Sequence, residues 1–233
     1  MRRTKLYMLI VIFGFSIPSV YAQEIVLTFQ EGFDGYTGTK DTHLDEILPT
    51  TSFGSDAWVV VDGSFPPIGY GNHGLLWFSD LFGSGAKQIP LGSEIIKATL
   101  DLNIIDTGLV TTSLHRMLQP WQEIDTWNDW VDVISADNTE AVGSADLVIT
   151  GNLGLGHHTF DVTDSLEAWS AGAQNYGWAF LPGTDFEDGR EFSSSDEANI
   201  SFRPSLEITY VPEPATLLLF GLGALALRRK HKA

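Results

Sequence analysis

Short apolar runs recur along the chain, each closed by Gly, Pro, Asp or Asn. Residues 25–29 open the series, and 56–61 lead into the turn Asp62-Gly63-Ser64. Runs follow at 74–78, 113–118, 156–162, 176–181 and 200–211. Between them, 95–104 alternates apolar and polar positions over its second half, with Leu100, Leu102 and Ile104 on one side. Strands at this spacing, bounded by turn residues, predict an all-β chain folded as a two-sheet antiparallel β-sandwich. Only 162–170 reads as helix, with Thr163 or Asp164 as its cap and Leu166 and Trp169 at helical spacing. No internal repeat or domain-length linker interrupts the pattern.

The two ends break it. Arg2, Arg3 and Lys5 precede an apolar run over 6–15, and Val20-Tyr21-Ala22 supplies small or apolar residues before a cleavage point. This layout predicts a signal helix removed after Ala22. At the other end, Pro212-Glu213-Pro214 leads to an apolar run over 215–227 and then to Arg228, Arg229, Lys230, His231 and Lys232. As a short hydrophobic helix that run would span only about 20 Å, whereas a full crossing takes about 20 residues. Gly221 and Gly223 loosen it, and the prolines bar a helix from extending upstream. The basic cluster would sit on the cytoplasmic side. The chain therefore divides into a signal peptide over 1–22, a sandwich domain over 23–211 and an anchor segment over 212–233.

This tail closely resembles the PEP-CTERM sorting signal of Gram-negative bacteria. The resemblance implies export and transient tethering in the inner membrane. It further implies processing by an exosortase-type enzyme near Pro212, Glu213 and Pro214, with Arg228, Arg229 and Lys230 closing the signal. Delivery to the cell surface or extracellular matrix would follow. An ordinary C-terminal anchor that is never cut is the alternative.

The tails mask how acidic the domain is. The whole chain has 13 basic and 30 acidic residues, net −17, but residues 23–211 hold 6 basic against 29 acidic. Such a balance argues against nucleic acid as a partner, because Lys and Arg neutralisation of phosphate dominates that affinity. It suits divalent cations or simple self-repulsion. The absence of cysteine excludes thiol catalysis, disulfides and thiolate metal sites.

The strand series carries a second pattern. Asp41-Thr42-His43-Leu44-Asp45 with Phe53-Gly54-Ser55, Leu75-Leu76-Trp77-Phe78, and the segment 89–100 come in order. Pro120-Trp121-Gln122-Glu123, Thr126-Trp127-Asn128, Phe160-Asp161-Val162-Thr163, Trp169 and Asn175-Tyr176-Gly177 follow. Phe192-Ser193-Ser194-Ser195-Asp196 and the segment 203–210 close the series. Together they resemble a DNRLRE-type domain, a group overlapping a carbohydrate-binding module family with alginate-binding members. That resemblance implies a jelly-roll-like sandwich and a polysaccharide partner. Trp77 stands where the family usually has Arg, Asp196 where Glu is common, and a Gly/Pro-rich insertion fills 64–72.

Several residues are candidates for chemistry. Trp121, Trp127 and Trp130 could stack on sugar rings beside polar groups, or lock a core and its loops; Trp130, outside the family pattern, is expected at the surface. Arg116 and Arg203 could bind an acidic glycan if they cluster with Arg190, Lys87 or Lys97. Asp41 and Asp45 share a strand face and, with Glu46 and Asp56, could hold a structural calcium ion, which takes about six to eight oxygens. Solvated acidic decoration is the other reading of those four. His157 and His158 point to opposite faces, His115 reads as a satisfied strand histidine, and His43 and His73 are isolated. No nucleophile, zinc or phosphate-loop motif is present. The leading expectation is a non-catalytic, exported module that binds exopolysaccharide. A structural matrix protein without a specific glycan and a polysaccharide-active enzyme are the alternatives.

Overall fold

The structure, a computed structural model, describes residues 23–63, 71–130, 133–184 and 188–212. The expected signal helix with its cleavage point at Ala22, and the tail helix with Glu213, Pro214, Arg228, Arg229 and Lys230, lie outside them. The described chain is the expected two-sheet antiparallel sandwich. Among the described residues no helix is long and apolar enough to cross a membrane.

Sheet A contains β1 (Ile25–Gln30), β3 (Trp58–Val61), β5 (Glu94–Asp106), β8 (Gly156–Asp161), β10 (Arg190–Ser193) and β11 (Ser205–Val211). Leu100 pairs with both Leu206 and Phe160, and Ile104 with both Phe192 and Gly156, so β8 lies along one edge of β5. On the other edge β10 and β11 form successive halves of one lane, interrupted by the excursion 194–204. β1 flanks β11 and β3 flanks β10.

Sheet B orders β2 (Thr39–Asp45), β4 (Asn72–Phe78), β9 (Trp178–Pro182), β6 (Thr112–Arg116) and β7 (Leu147–Ile149), all antiparallel. The main core lies between the sheets. Ala98, Leu100, Leu102, Ile104, Leu206 and Ile208 of sheet A meet Leu76, Phe78, Leu114, Trp178 and Phe180 of sheet B.

A β-bulge explains why β5 alternates only over its second half. Thr209 pairs with Lys97 but Tyr210 with Ile95, leaving Ile96 as the extra residue. Ile95 faces inward before the bulge and Ala98 after it. The helix α1 (Thr163–Ser170) buries Leu166 and Trp169. Its entry is fixed two residues before the first expected cap, Thr163: Asp161 Oδ1 accepts from Thr163 N at 2.9 Å and from its hydroxyl at 2.6 Å. Thr163 Oγ1 in turn accepts from Ala98 N, tying the helix to β5. The apolar start expected at 200 is a single 3-10 turn, Ile200–Phe202, and the strand proper begins at Ser205.

A second core lies on the outer face of sheet B. The long connection after β6 folds back over it, bringing Met117, Trp121, Ile134 and Ala141 onto Leu44, Leu75, Ala179 and Leu181. Both faces of β9 are thereby buried, so its apolar residues run without alternation. Gly54 seats the connection: a Cβ there would lie 2.2 Å from Glu123 O. Among the described residues, both cores are built from side chains between Phe29 and Tyr210.

Candidate functional site

The three tryptophans sit on the connection that covers sheet B, at two depths. Trp121 is 2% exposed and packs in the second core, with its indole N–H donating to Tyr176 O at 2.8 Å. Trp127 is half-buried, with its ring tilted against His73 at 5.4 Å between centroids. Trp130, expected at the surface, is also half-buried. The short turn Trp127–Asp129 that sets Trp127 and Trp130 apart is held by Asp129, whose carboxylate accepts from Thr126 N at 2.8 Å and Thr126 Oγ1 at 2.7 Å.

Trp121 and Trp130 line a recess of about 330 Å³ with Gln119, Gln122, Asp125 and Asp129. Asp125 Oδ2 accepts from Gln122 N, and Gln119 Nε2 donates to Thr139 O, so the loop holds both in place. Among the described residues the lining therefore offers the Trp130 ring, side-chain amides and carboxylates, and no cation. Trp77 lies 6.1 Å from Trp121 and 6.1 Å from Tyr176 between ring centroids. Beyond it, Trp77 and Tyr176 line a second concavity of about 580 Å³ with Lys40, Gln174 and Asn175. Lys40 Nζ rests 4.8 Å above the Trp77 ring. One aromatic cluster thus joins two concavities. The sequence pattern pointed to Trp121 and Trp130 but missed Gln119, Gln122, Asp125 and Asp129, whose only sequence signal is their position flanking Trp121 and Trp130 in a polar stretch.

The basic residues take separate partners. Arg116 pairs with Asp146 at 2.8 Å. Arg190 is buried and donates to Val110 O and Gly151 O. Arg203 donates to Glu197 O and Glu31 O, pinning the 194–204 excursion to the end of β1. Lys87 pairs with Asp34 on the surface, and Lys97 lies beside Asp161. Arg116 and Lys97 come near one another, because Asp146, the partner of Arg116, lines one recess with Lys97, Asp161 and Asp164, whereas Arg203 is engaged at the 194–204 excursion.

The four candidate calcium carboxylates do not converge. Asp41 is 1% exposed, and its Oδ2 accepts from Ser195 N at 2.7 Å. Asp45 Oδ1 caps the following turn through Ile47 N and Leu48 N. Glu46 Oε2 accepts from Gly71 N at 3.1 Å, and Asp56 contributes its backbone carbonyl to Ser194 Oγ. Three of these side chains are spent singly on backbone amides. Among the described residues no three His, Asp or Glu side chains are grouped as a metal ion would need.

Asp41 instead fastens β2 to the excursion. Burial pushes its carboxyl up to about 7, and Asp196 and Glu123 nearby push the same way. Burial also raises Glu123, partly offset by the backbone N–H of Asp41. His43, on the same strand face, stacks on Phe53 at 4.2 Å, and burial lowers it to about 4.

The last strand ends where the tail begins. Val211, its final residue, pairs with Glu94, and Tyr210 pairs with Ile25, so both ends of the domain lie at the same end of sheet A. Residues 211–230 match the PEP-CTERM protein-sorting motif. A PEP-CTERM chain is exported, sorted by exosortase and held transiently at the membrane. The match covers the tail alone and joins the sandwich with no intervening linker. No curated protein matches the chain.

Proposed function

We propose that this exported protein is a non-catalytic module that binds a neutral polysaccharide across the outer side of sheet B. In this reading the sandwich is a DNRLRE-type, jelly-roll-like domain, and its destination is the cell surface or an exopolysaccharide matrix. The observation that carries the reading is the pair of amide-edged concavities, one with Trp130 at its wall and the next with Trp77 and Tyr176, braced from beneath by the buried Trp121. A polymer needs consecutive subsites, and aromatic faces beside a few polar groups suit sugar rings. The ligand is taken as neutral because carboxylates and no cation line the Trp130 recess, and Lys40 is the one basic residue at the neighbouring concavity.

The test is retention of the 23–212 chain on neutral and uronic-acid polysaccharides, each with calcium and with chelator. Retention on a neutral glycan, unchanged by chelator, is the expected result. Trp130→Ala and Gln122→Ala should each lose retention, Gln122→Ala while melting as the parent does and Trp130→Ala at a small cost in stability from its packing on the second core. No retention on any glycan would overturn the reading and leave a structural matrix role.

A further inference from the structure

Among the described residues, β1 is the open edge of sheet A. Its residues Ile25–Gln30 contain no charge, proline, glycine or bulge, and they pair with β11 without a register shift. The other described edge strands are protected. β2 carries Lys40, Asp41 and Asp45; β8 carries His157, His158 and Asp161; β3 and β7 are only 4 and 3 residues long. Natural proteins blunt sheet edges with such charges or short strands, because an open edge offers unpaired N–H and C=O groups to another chain. Beside β1 runs a groove of about 470 Å³ touched by Val26, Leu27, Thr28 and Phe29 and lined also by residues 33–38 with Asp80, Lys87 and Gln88. Consecutive strand residues face opposite ways, so a groove touching all four follows the edge and not one face. Val26 is 54% exposed beside it and Phe33 48%.

We propose that this edge joins two copies of the domain, antiparallel, about a two-fold axis at Leu27. The occupant follows from self-complementarity. A two-fold axis normal to the sheet keeps the inner faces of both copies on the same side. Centred on Leu27, it sets Leu27 opposite Leu27 of the other copy, Ile25 opposite Phe29, and Val26 opposite Thr28. These are the apolar and β-branched cross-strand pairs that stabilise sheets. Glu24 then meets the Gln30 amide and not a like charge. Centring the axis on Thr28 would set Ile25 against Glu31. The contact is isologous and closes after two copies.

Sedimentation of the 23–212 chain tests this. A dimer is expected, and Thr28→Lys, at an exposed edge position, should be monomeric with the parent melting temperature. In a chain without cysteine, mixing Val26→Cys copies with Thr28→Cys copies under mild oxidation should give a mixed disulfide, and neither variant alone should cross-link. A monomer at every concentration, or a dimer that Thr28→Lys leaves intact, would overturn the proposal.

Discussion

A carboxyl group taken out of water holds its proton more tightly, and Asp41 does so up to about 7 from an ordinary 3.8. The folded chain therefore binds a proton at Asp41 that the unfolded chain has already lost. Stability contributed by that proton is present below about 4 and is lost as pH rises to about 7. Asp41→Asn keeps an acceptor for Ser195 N–H and removes the titration. Its melting temperature should exceed the parent's by a margin that widens from pH 4 to pH 7 and then stays level; a margin independent of pH would refute this. His43 and His73, both lowered to about 4 by burial, work in the other direction: their contribution is lost as pH falls from 6.5 towards 4. Trp121 is a second residue with a single dominant role. Trp121→Ala should cost about 3–5 kcal/mol in urea unfolding, the range for emptying a buried aromatic site. Trp130→Ala should cost far less, which separates plug from platform.

Among elements, the connection over sheet B decides what the tryptophans do. Gly54→Ala should push Glu123 and its loop outward and destabilise by roughly 1–3 kcal/mol, as overpacking does. Binding should fall with it, because the same loop shapes the Trp130 recess. Strands with strong periodicity, such as β4, β5 and β11, were legible in the sequence. β10 was not: four residues beside Gly189 carry too little pattern, and tertiary pairing with β3 and β5 makes them a strand. The role of Trp121 was also illegible. A tryptophan in a polar stretch reads the same whether it stacks on a ligand or plugs a second core. Only the folding of residues 117–146 onto Leu44 and Leu75 distinguishes them. Asp41 and Asp45 share a face, as strand periodicity requires, yet one turns under Ser195 and the other caps a turn. Strand parity sets direction but not the loop that arrives from 150 residues away.

At the scale of the whole molecule, the excess of 29 acidic over 6 basic residues in 23–211 spreads over a surface whose cations are mostly already engaged. Binding at the Trp130 recess should then vary little with salt, since no charge pair with the glycan is being screened. A steep loss of retention between low and moderate salt would point to an acidic ligand instead. The junction of β11 with the tail has a mechanical meaning. While the chain is held at the membrane, any pull from the tail enters the sandwich through Val211, the last residue of β11. That strand is interior, with six residues laddered to β1 and seven to β5. The load falls on two ladders in shear, so many hydrogen bonds must rupture together, whereas a strand pulled sideways from an edge would yield them one at a time.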